Sequence, residues 1–239
     1  MITSLDNKTV KELRKLHQKK YREERFLLLD EELISLANEK GYLKKLVYVN
    51  EPPFVFPDSL EVSQQVLDKI ADRDGLRYIG VSEKIRERHG DGDRVVLLDH
   101  LQDPLNIGRI MEGALHFGFD TIVLSEGSAD IYNEKCLSVC KGGIFELNIC
   151  HRDLPDEISF LKDRGYKVYA TGLSENTLDM ADVDKAEKMA FILGNEGSGV
   201  EKEVMDLSDG VMKIDMRNID SLNVAMAASI IMYHFQSGQ

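Results

Sequence analysis

The chain has 239 residues and a mass of 27.0 kDa, which suits one large domain or two small ones. Its hydrophobic fraction of 43% and charged fraction of 30% exclude a disordered or fibrous chain. The apolar runs are too short for a membrane span, and the N-terminal segment lacks the apolar stretch of a secretory signal. Three cysteines are too few for a disulfide scaffold, so we expect a cytoplasmic protein with no membrane partner.

The net charge of −12 is unevenly distributed along the chain. Residues 8–25, called the basic segment below, contain eight Lys or Arg and three Glu, which gives 8 − 3 = +5. The remainder therefore carries −12 − 5 = −17. A basic segment on an acidic body is able to dock on phosphate, although a solvated helix face explains the same charges.

The first part of the chain predicts a small α/β unit. Val10, Leu13 and Leu16 are spaced as on a helix. A strand that runs into a helix follows over 26–42, and strands at 45–50 and 76–81 flank a helix near 63–71. The polar, Gly-containing stretch 82–93 is typical of a linker, so we divide the chain into domains 1–90 and 91–239.

The second part alternates strands with helices, which predicts an α/β domain with a parallel sheet and helices on both faces. Ligands of such sheets bind beyond the carboxyl ends of the strands. The predicted strands are 94–99, 121–125, 145–149, 167–172, 189–194 and 211–215, and the predicted helices are 104–118, 132–140, 155–164 and 221–235.

The first candidate motif opens the helix at 104–118. Asp103 is a natural cap, and Pro104 suits the first helical turn. Asn106 lies where the backbone donors of a helix start point outward. An ordinary capped helix explains these residues equally well.

The second candidate motif is the Gly-rich loop 193–199, after the apolar strand 189–194. Its glycines at 194, 197 and 199 permit a close backbone approach or a positive φ. It is not a Walker A loop, and its spacing is the reverse of the dinucleotide fingerprint. Glu196 would repel phosphate, so the loop favours a neutral or cationic ligand over a nucleotide triphosphate. A tight turn without a ligand is the alternative.

The third candidate motif, 221–225, opens the apolar C-terminal helix. Asp220 or Ser221 is the expected N-cap, and Ala227, Ala228 and Ile231 are expected to pack in the core. Alone, this segment predicts no more than a capped core helix.

Together, in this order, the three motifs resemble those of the SpoU (TrmH-type) branch of the SPOUT methyltransferases. The family pattern N-x-G-x-I-x-R-T-A corresponds to residues 106–114. The pattern G-x-E-x-x-G corresponds to Gly194, Glu196 and Gly199, and S-L-N-V corresponds to 221–224. The resemblance implies transfer of a methyl group from S-adenosylmethionine (SAM) to a ribose 2′-hydroxyl of tRNA or rRNA.

The resemblance also implies an architecture and partners. The C-terminal domain is expected to form a deep trefoil knot, an exception to the rule against knots, and to be the interface of a homodimer. The domain 1–90 is similar to the ribosomal-protein-like RNA-binding domain of many members and is expected to select the RNA. No metal is implied.

Site residues follow by position from the resemblance. The implied catalytic residues are Asn106, Arg109, Glu196 and Asn223. The implied cofactor-binding residues are Thr171, Gly172, Leu173, Leu193, Gly194, Asn195, Glu196, Gly199, Ile214, Met216, Ser221, Leu222 and Asn223. The candidate RNA-binding residues are Lys11, Arg14, Lys15, Lys19, Lys20 and Arg22.

Two departures from the family pattern keep other functions open. Glu112 occupies the position of the family's catalytic Arg, and Asp215 replaces the usual Pro of the third motif. Arg109 lies one helical turn before Glu112 and is the candidate replacement. The alternatives are a catalytically degenerate RNA-binding or assembly protein of the same fold, and an unrelated α/β enzyme of small-molecule metabolism.

The spacing of Cys136 and Cys140, with Cys150 nearby, raises a zinc site as a further alternative. Such a site needs four converging ligands, and buried reduced thiols are the more frequent explanation.

Overall fold

The structure is a computed structural model that describes residues 1–90, 92–216 and 222–236. Within these ranges, none of the helices has the length and apolar composition that a membrane crossing requires. The α-helices are α1 (Lys8–Lys15), α2 (Glu31–Glu39), α3 (Gln64–Ala71), α4 (Pro104–Phe117), α5 (Glu134–Leu137), α6 (Gly143–Glu146), α7 (Leu154–Asp163), α8 (Lys202–Leu207) and α9 (Val224–His234). The strands are β1 (Arg25–Leu28), β2 (Leu43–Tyr48), β3 (Ser59–Glu61), β4 (Tyr78–Glu83), β5 (Arg94–Leu98), β6 (Thr121–Leu124), β7 (Asn148–His151), β8 (Lys167–Thr171), β9 (Leu178–Asp179), β10 (Met189–Leu193) and β11 (Gly210–Lys213).

The chain divides into two compact units. The first unit contains residues 1–86 and 130–145, and the second contains 87–129 and 146–239. The segment 130–145, which the sequence analysis placed in the second domain, therefore clusters with the first unit.

The first unit is built on a four-stranded sheet of order β1-β4-β2-β3. β4 is antiparallel to both of its neighbours, whereas β2 and β3 are parallel. The helices α1 and α3 contribute Val10 and Ile70 to one core cluster with Val47 and Val81 of the sheet. Burial of these apolar faces is the main term that stabilises the unit.

Arg22, a candidate RNA-binding residue, is an internal anchor of the first unit. Its side chain is 5% exposed. Nε and Nη2 donate to one carboxylate oxygen of Asp130, at 3.0 and 2.7 Å, and Nη1 donates to the carbonyls of Leu16 and His17, at 2.8 and 2.7 Å. The expectation that Arg22 contacts RNA is therefore wrong, because its donors are bound inside the protein.

The second unit is built on a seven-stranded sheet of order β7-β6-β5-β10-β8-β11-β9. Every pairing in it is parallel, which confirms the predicted α/β fold class. Ala190 and Ile192 face a core cluster that includes residues of α7 and α8. Phe191 points to the opposite face, where its ring meets Phe119 and Phe235, at centroid distances of 6.0 and 4.7 Å.

The helix α4 begins and ends where its sequence predicts. The Asp103 side chain accepts the N–H of Leu105 at 2.9 Å, and Pro104 occupies the first turn. Gly118 follows the last helical residue with φ of 71°, in the left-handed region that favours glycine. These end signals fix the limits of α4 and therefore place Asn106 in its first turn.

Two predicted elements differ from the structure. The expected strand 145–149 is wrong in its first half, since Phe145 and Glu146 end α6 and the strand β7 runs from Asn148 to His151. The expected N-cap of the last helix is also wrong, because α9 begins at Val224 and Asn223 is its cap. Ser221 lies outside the described residues.

We expect that Arg22→Ala destabilises the first unit by about 2–4 kcal/mol, because it leaves the Asp130 carboxylate, which is only 11% exposed, without its cation. Urea unfolding followed by circular dichroism measures this loss. Lys11→Ala is the matched control, because Lys11 pairs with Asp6 at 2.8 Å in solvent, and such pairs contribute at most about 1 kcal/mol. Equal midpoints for the two variants would contradict the anchoring role.

Candidate active site

The three sequence motifs meet at the carboxyl ends of the strands in the second unit. Asn106 lies in the first turn of α4, and its side chain is 6% exposed. Its Nδ2 donates to Glu196 Oε1 at 2.7 Å, and its Oδ1 accepts from Asn223 Nδ2 at 3.1 Å. One buried amide therefore joins the Gly-rich loop to the start of α9.

The orientation of the Asn106 amide is determined by its partners. The Nδ2 group faces Glu196, because the Oε1 atom of that residue accepts the hydrogen bond. Asn223 has its own orientation fixed, because its Oδ1 accepts the backbone N–H groups of Ala225 and Met226, at 3.0 and 3.3 Å. Its Nδ2 is then directed to Asn106. The bonds from Asn223 to Asn106 and from Asn106 to Glu196 therefore link the N-terminus of α9 to the Gly-rich loop.

The Gly-rich loop is a tight turn that its own residues hold closed. The backbones of Asn195 and Gly199 exchange hydrogen bonds of 3.0 and 2.8 Å. The Asn195 side chain donates to the carbonyl of His100 at 2.8 Å and accepts the N–H of Gly197 at 2.8 Å. Gly199 has φ of 73°, and a Cβ at Gly194 would lie 2.1 Å from the backbone of Gly199. The turn thus requires glycine at both positions.

A cavity of about 840 Å³ opens against this loop. The sequence-predicted cofactor residues all line it, apart from Ser221, which lies outside the described residues. The lining comprises Thr171, Gly172, Leu173, Met180, Leu193, Gly194, Asn195, Glu196, Gly197, Ser198, Gly199, Met212, Lys213, Ile214, Asp215, Met216, Leu222, Asn223, Val224, Ala227 and Ile231.

Several lining residues were missed by the sequence analysis. Ala227 and Ile231 follow Asn223 at steps of four residues, so helical spacing alone places them on the same side of α9. That signal was present but was interpreted as core packing. Met180, Met212 and Lys213 reach the cavity through the pairing of β11 with β8 and β9, which sequence patterns do not reveal.

Arg109 and Glu112 lie on α4 but do not line the cavity. Arg109 is exposed, and Glu112 is half-buried. Neither side chain forms a hydrogen bond or ion pair with a residue of the described ranges. The guanidinium of Arg109 is therefore available to an anionic ligand, three residues along the helix from Asn106.

The remaining candidate RNA-binding residues lie on the surface of the first unit. Lys11, Arg14, Lys15, Lys19 and Lys20 are all exposed. Lys11 is paired with Asp6. The other four present their charge at or after the C-terminal half of α1.

The three cysteines are buried free thiols. Burial raises the pKa of Cys136 and Cys140, and it raises the pKa of Cys150 to about 11. Such thiols react poorly, because the thiolate is the reactive species.

One cluster of potential metal ligands is present among the described residues. It consists of Asp99, His100 and Glu201, and their ligand atoms lie within 4.8 Å of one another. Both Asp99 oxygens already have protein partners, because Oδ1 binds His100 Nδ1 and Oδ2 accepts the Glu201 N–H, each at 2.7 Å. These bonds attach the start of α8 to the end of β5.

Comparison with known proteins identifies the class of this fold and site. The family model of the SpoU rRNA methylase family matches residues 93–233, which is more than half of the chain. The chain belongs to the SpoU rRNA methylase family. The resemblance inferred from the three motifs is confirmed.

Relatives extend the comparison to the whole chain. The 23S rRNA (guanosine(2553)-2′-O)-methyltransferase RlmP of Bacillus subtilis is 32% identical over 246 residues, covering 98% of each protein. A tRNA (guanosine(18)-2′-O)-methyltransferase of Thermus thermophilus is 33% identical over 168 residues, covering 69% of this chain and 84% of the relative. The crystal structure of an AdoMet-bound rRNA methyltransferase from Sinorhizobium meliloti superposes with a TM-score of 0.88 at 28% identity, covering 97% of this chain and 95% of that one.

The cavity fits SAM, the cofactor of this family. Its volume lies in the range of small-molecule sites. Among the lining residues, Leu173 and Met216 expose apolar surface of the kind that an adenine ring requires, and the glycines of the Gly-rich loop leave its backbone open to a ligand. The acidic side chain of Glu196 also lines the cavity, which suits a cationic ligand better than a phosphate.

We expect that Gly194→Ala weakens SAM binding about 5- to 100-fold, because the new methyl group forces the loop apart at a strain of about 1–3 kcal/mol. Isothermal titration with SAM measures the affinity. Leu207→Ala is the control, since Leu207 is exposed and does not line the cavity. If Gly194→Ala binds SAM as the control does, the loop does not form the cofactor wall.

Proposed function

We propose that this chain transfers a methyl group from SAM to a ribose 2′-hydroxyl of ribosomal RNA, with Asn106, Arg109, Glu196 and Asn223 as its catalytic residues. As a member of the SpoU family, it is a SAM-dependent RNA 2′-O-methyltransferase. The observation that carries the residue assignment is the hydrogen-bond chain, because Glu196 and Asn223 line the cavity and both bind Asn106.

The two alternative functions are not favoured. A small-molecule enzyme of another class is excluded by family membership. A degenerate protein that has lost the chemistry is disfavoured because the relatives that align with this chain are named RNA 2′-O-methyltransferases.

In this proposal, the protein acts mainly by positioning. Bound SAM supplies an electrophilic methyl group on a sulfonium. Glu196 and Asn223 hold the Asn106 amide in one orientation, and one N–H of that amide has no partner among the described residues. This donor is assigned to orient the target nucleotide, whose 2′-oxygen attacks in line. The oxygen–methyl bond then forms as the methyl–sulfur bond breaks, S-adenosylhomocysteine leaves, and the hydroxyl proton passes to solvent water. Such alignment supplies a large part of the rate enhancement of a displacement reaction.

Arg109 is assigned to the phosphate of the target nucleotide. Its guanidinium is permanently charged, exposed and unengaged within the described ranges. It is also the cation that follows Asn106 most closely on α4. A cation that holds this phosphate keeps the target nucleotide in place for the attack.

Ribosomal RNA is the better-supported substrate. The relative that aligns over 98% of both chains is named a 23S rRNA methyltransferase. The relative named a tRNA methyltransferase aligns with only 69% of this chain. Substrate selection by the first unit is consistent with this difference, because a full-length alignment includes that unit.

The functional form in this proposal is a cytoplasmic homodimer whose second unit contains a trefoil knot. The helix α9 supports the dimer, because it is apolar on all sides. Met226, Ile230 and Tyr233 are exposed at spacings of four and three residues, while Val224 and Ile231 are buried. A helix that is apolar all round is normally covered on both sides, and a second copy related by a two-fold axis is the simplest cover. The buried free thiols suit a reducing compartment.

We expect that Arg109→Ala lowers kcat/KM for RNA methylation by about 10²-fold, because the target phosphate loses its charge-assisted contact and the nucleotide is no longer aligned. The assay follows tritium transfer from labelled SAM to unmodified 23S rRNA, with total tRNA as the competing acceptor. SAM affinity by titration should be unchanged, since Arg109 does not line the cavity.

The matched control is His116→Ala, an exposed position on the same helix. Near-normal turnover of Arg109→Ala would refute the catalytic role of this residue. Wild-type protein that binds no SAM at millimolar concentration and methylates neither RNA would refute the proposed function itself.

We also expect that Met226→Glu with Tyr233→Glu converts a dimer into a monomer, because buried like charges oppose association. Light scattering after gel filtration should change from twice 27.0 kDa to 27.0 kDa. Leu207→Glu, an exposed apolar position outside α9, is the control and should stay dimeric. A wild-type monomer would contradict the proposed interface.

A further inference from the structure

An exposed aromatic ring lies in the middle of the basic segment. Tyr21 ends the short helical turn 19–21 and is 41% exposed. The ammonium of Lys20 lies 4.9 Å from the ring centroid, and that of Lys15 lies 5.4 Å from it. The two lysines and the ring thus form one surface patch, called the Tyr21 patch below.

The backbone that presents Tyr21 is held by its neighbour in sequence. The Arg22 side chain binds the carbonyls of Leu16 and His17 and the carboxylate of Asp130. The turn is further closed by bonds from the Tyr21 N–H to Gln18, at 3.0 Å, and from the Arg22 N–H to Lys19, at 3.0 Å. The ring is therefore mounted on a fixed turn, which lowers the entropy lost when a ligand binds it.

The charge around the ring selects an anionic partner. The basic segment carries +5 in a chain whose remaining residues carry −17. An acidic peptide and an RNA strand are both anionic, so either one would be attracted to this positive charge. Only a nucleotide also uses the face of the ring, because every base has a π-surface that stacks on an aromatic side chain.

We infer that the Tyr21 patch binds an unpaired nucleotide of the RNA substrate, with the base stacked on Tyr21 and Lys15 and Lys20 on the flanking phosphates. This inference rests on the proposed function and adds a single-stranded element to the substrate. Base–aromatic stacking is stronger than an exposed cation–π contact, so an incoming base displaces an ammonium from the ring. The displaced ammonium then lies next to the phosphate of the same nucleotide.

The chain has no tryptophan, which permits a direct test of stacking. In Tyr21→Trp the new ring is the single tryptophan of the protein, and its fluorescence reports contact with a base. We expect saturable quenching by a 12-nucleotide oligouridylate and little quenching by a 12-base-pair RNA duplex. Val55→Trp, at an exposed site of the same unit outside the basic segment, should not be quenched.

Affinity measurements separate the ring from the charges. Tyr21→Ala should bind the oligouridylate about 5- to 100-fold more weakly, and Tyr21→Phe should bind it as the wild type does. Lys15→Gln with Lys20→Gln should lower the slope of log affinity against log salt by about 1.4, at about 0.7 per lost phosphate contact. An acidic-peptide site would lose affinity in the lysine variant but not in Tyr21→Ala.

The outcomes distinguish this inference from the proposed function. Unquenched fluorescence in Tyr21→Trp, or an unchanged affinity of Tyr21→Ala, overturns the stacking site even if the wild type methylates RNA. SAM titration of Tyr21→Ala should match the wild type and shows that the variant is folded. Absence of SAM binding and methyl transfer in the wild type overturns the proposed function, while quenching still reports on the Tyr21 patch.

Discussion

The hydrogen bonds of the Asn106 side chain are the interaction on which the candidate active site depends. They join residues that are 90 and 117 positions apart in sequence. Asn106 is buried, whereas Glu196 and Asn223 are exposed, so the two bonds lie at the boundary between the core and the cavity. These bonds fix the start of α4, the Gly-rich loop and the start of α9 relative to one another. Because the loop and the start of α9 line the cavity, the same bonds determine the position of the cavity wall.

Electrostatics divide the candidate RNA-binding residues into two kinds. An acidic body repels RNA in general, so affinity has to come from a few cations at chosen places. Lys15 and Lys20 remain on the surface, whereas the donors of Arg22 are hydrogen-bonded to Asp130 and to two backbone carbonyls. The planar guanidinium, with five donors, is suited to bind several acceptors at once, which an ammonium does less well. Arg22 thus stabilises the backbone of the basic segment, and Lys15 and Lys20 present their charge on the surface of that segment.

Sequence patterns predicted those features that depend on neighbouring residues. The limits of α4 follow from Asp103 and Gly118, and the three motifs follow from local spacing. Features that depend on distant partners were missed or wrong. The burial of Arg22 requires Asp130, and the access of Lys213 to the cavity requires the pairing of β11 with β9. The prediction of a strand over 145–149 was wrong in its first half because the apolar residues there also suit a short helix. Periodicity over five residues does not distinguish a helix from a strand.

Glu112 stands where the family pattern has an arginine, yet the hydrogen bonds of Asn106 and the adjoining cavity are present. In our proposal, the phosphate contact comes from Arg109, which is closer to Asn106 in sequence than Glu112 is. The carboxylate of Glu112, three residues further along α4, lowers the positive potential around Arg109. In our proposal, this arrangement binds phosphate less tightly than an arginine alone, and RNA affinity must come to a greater extent from the first unit.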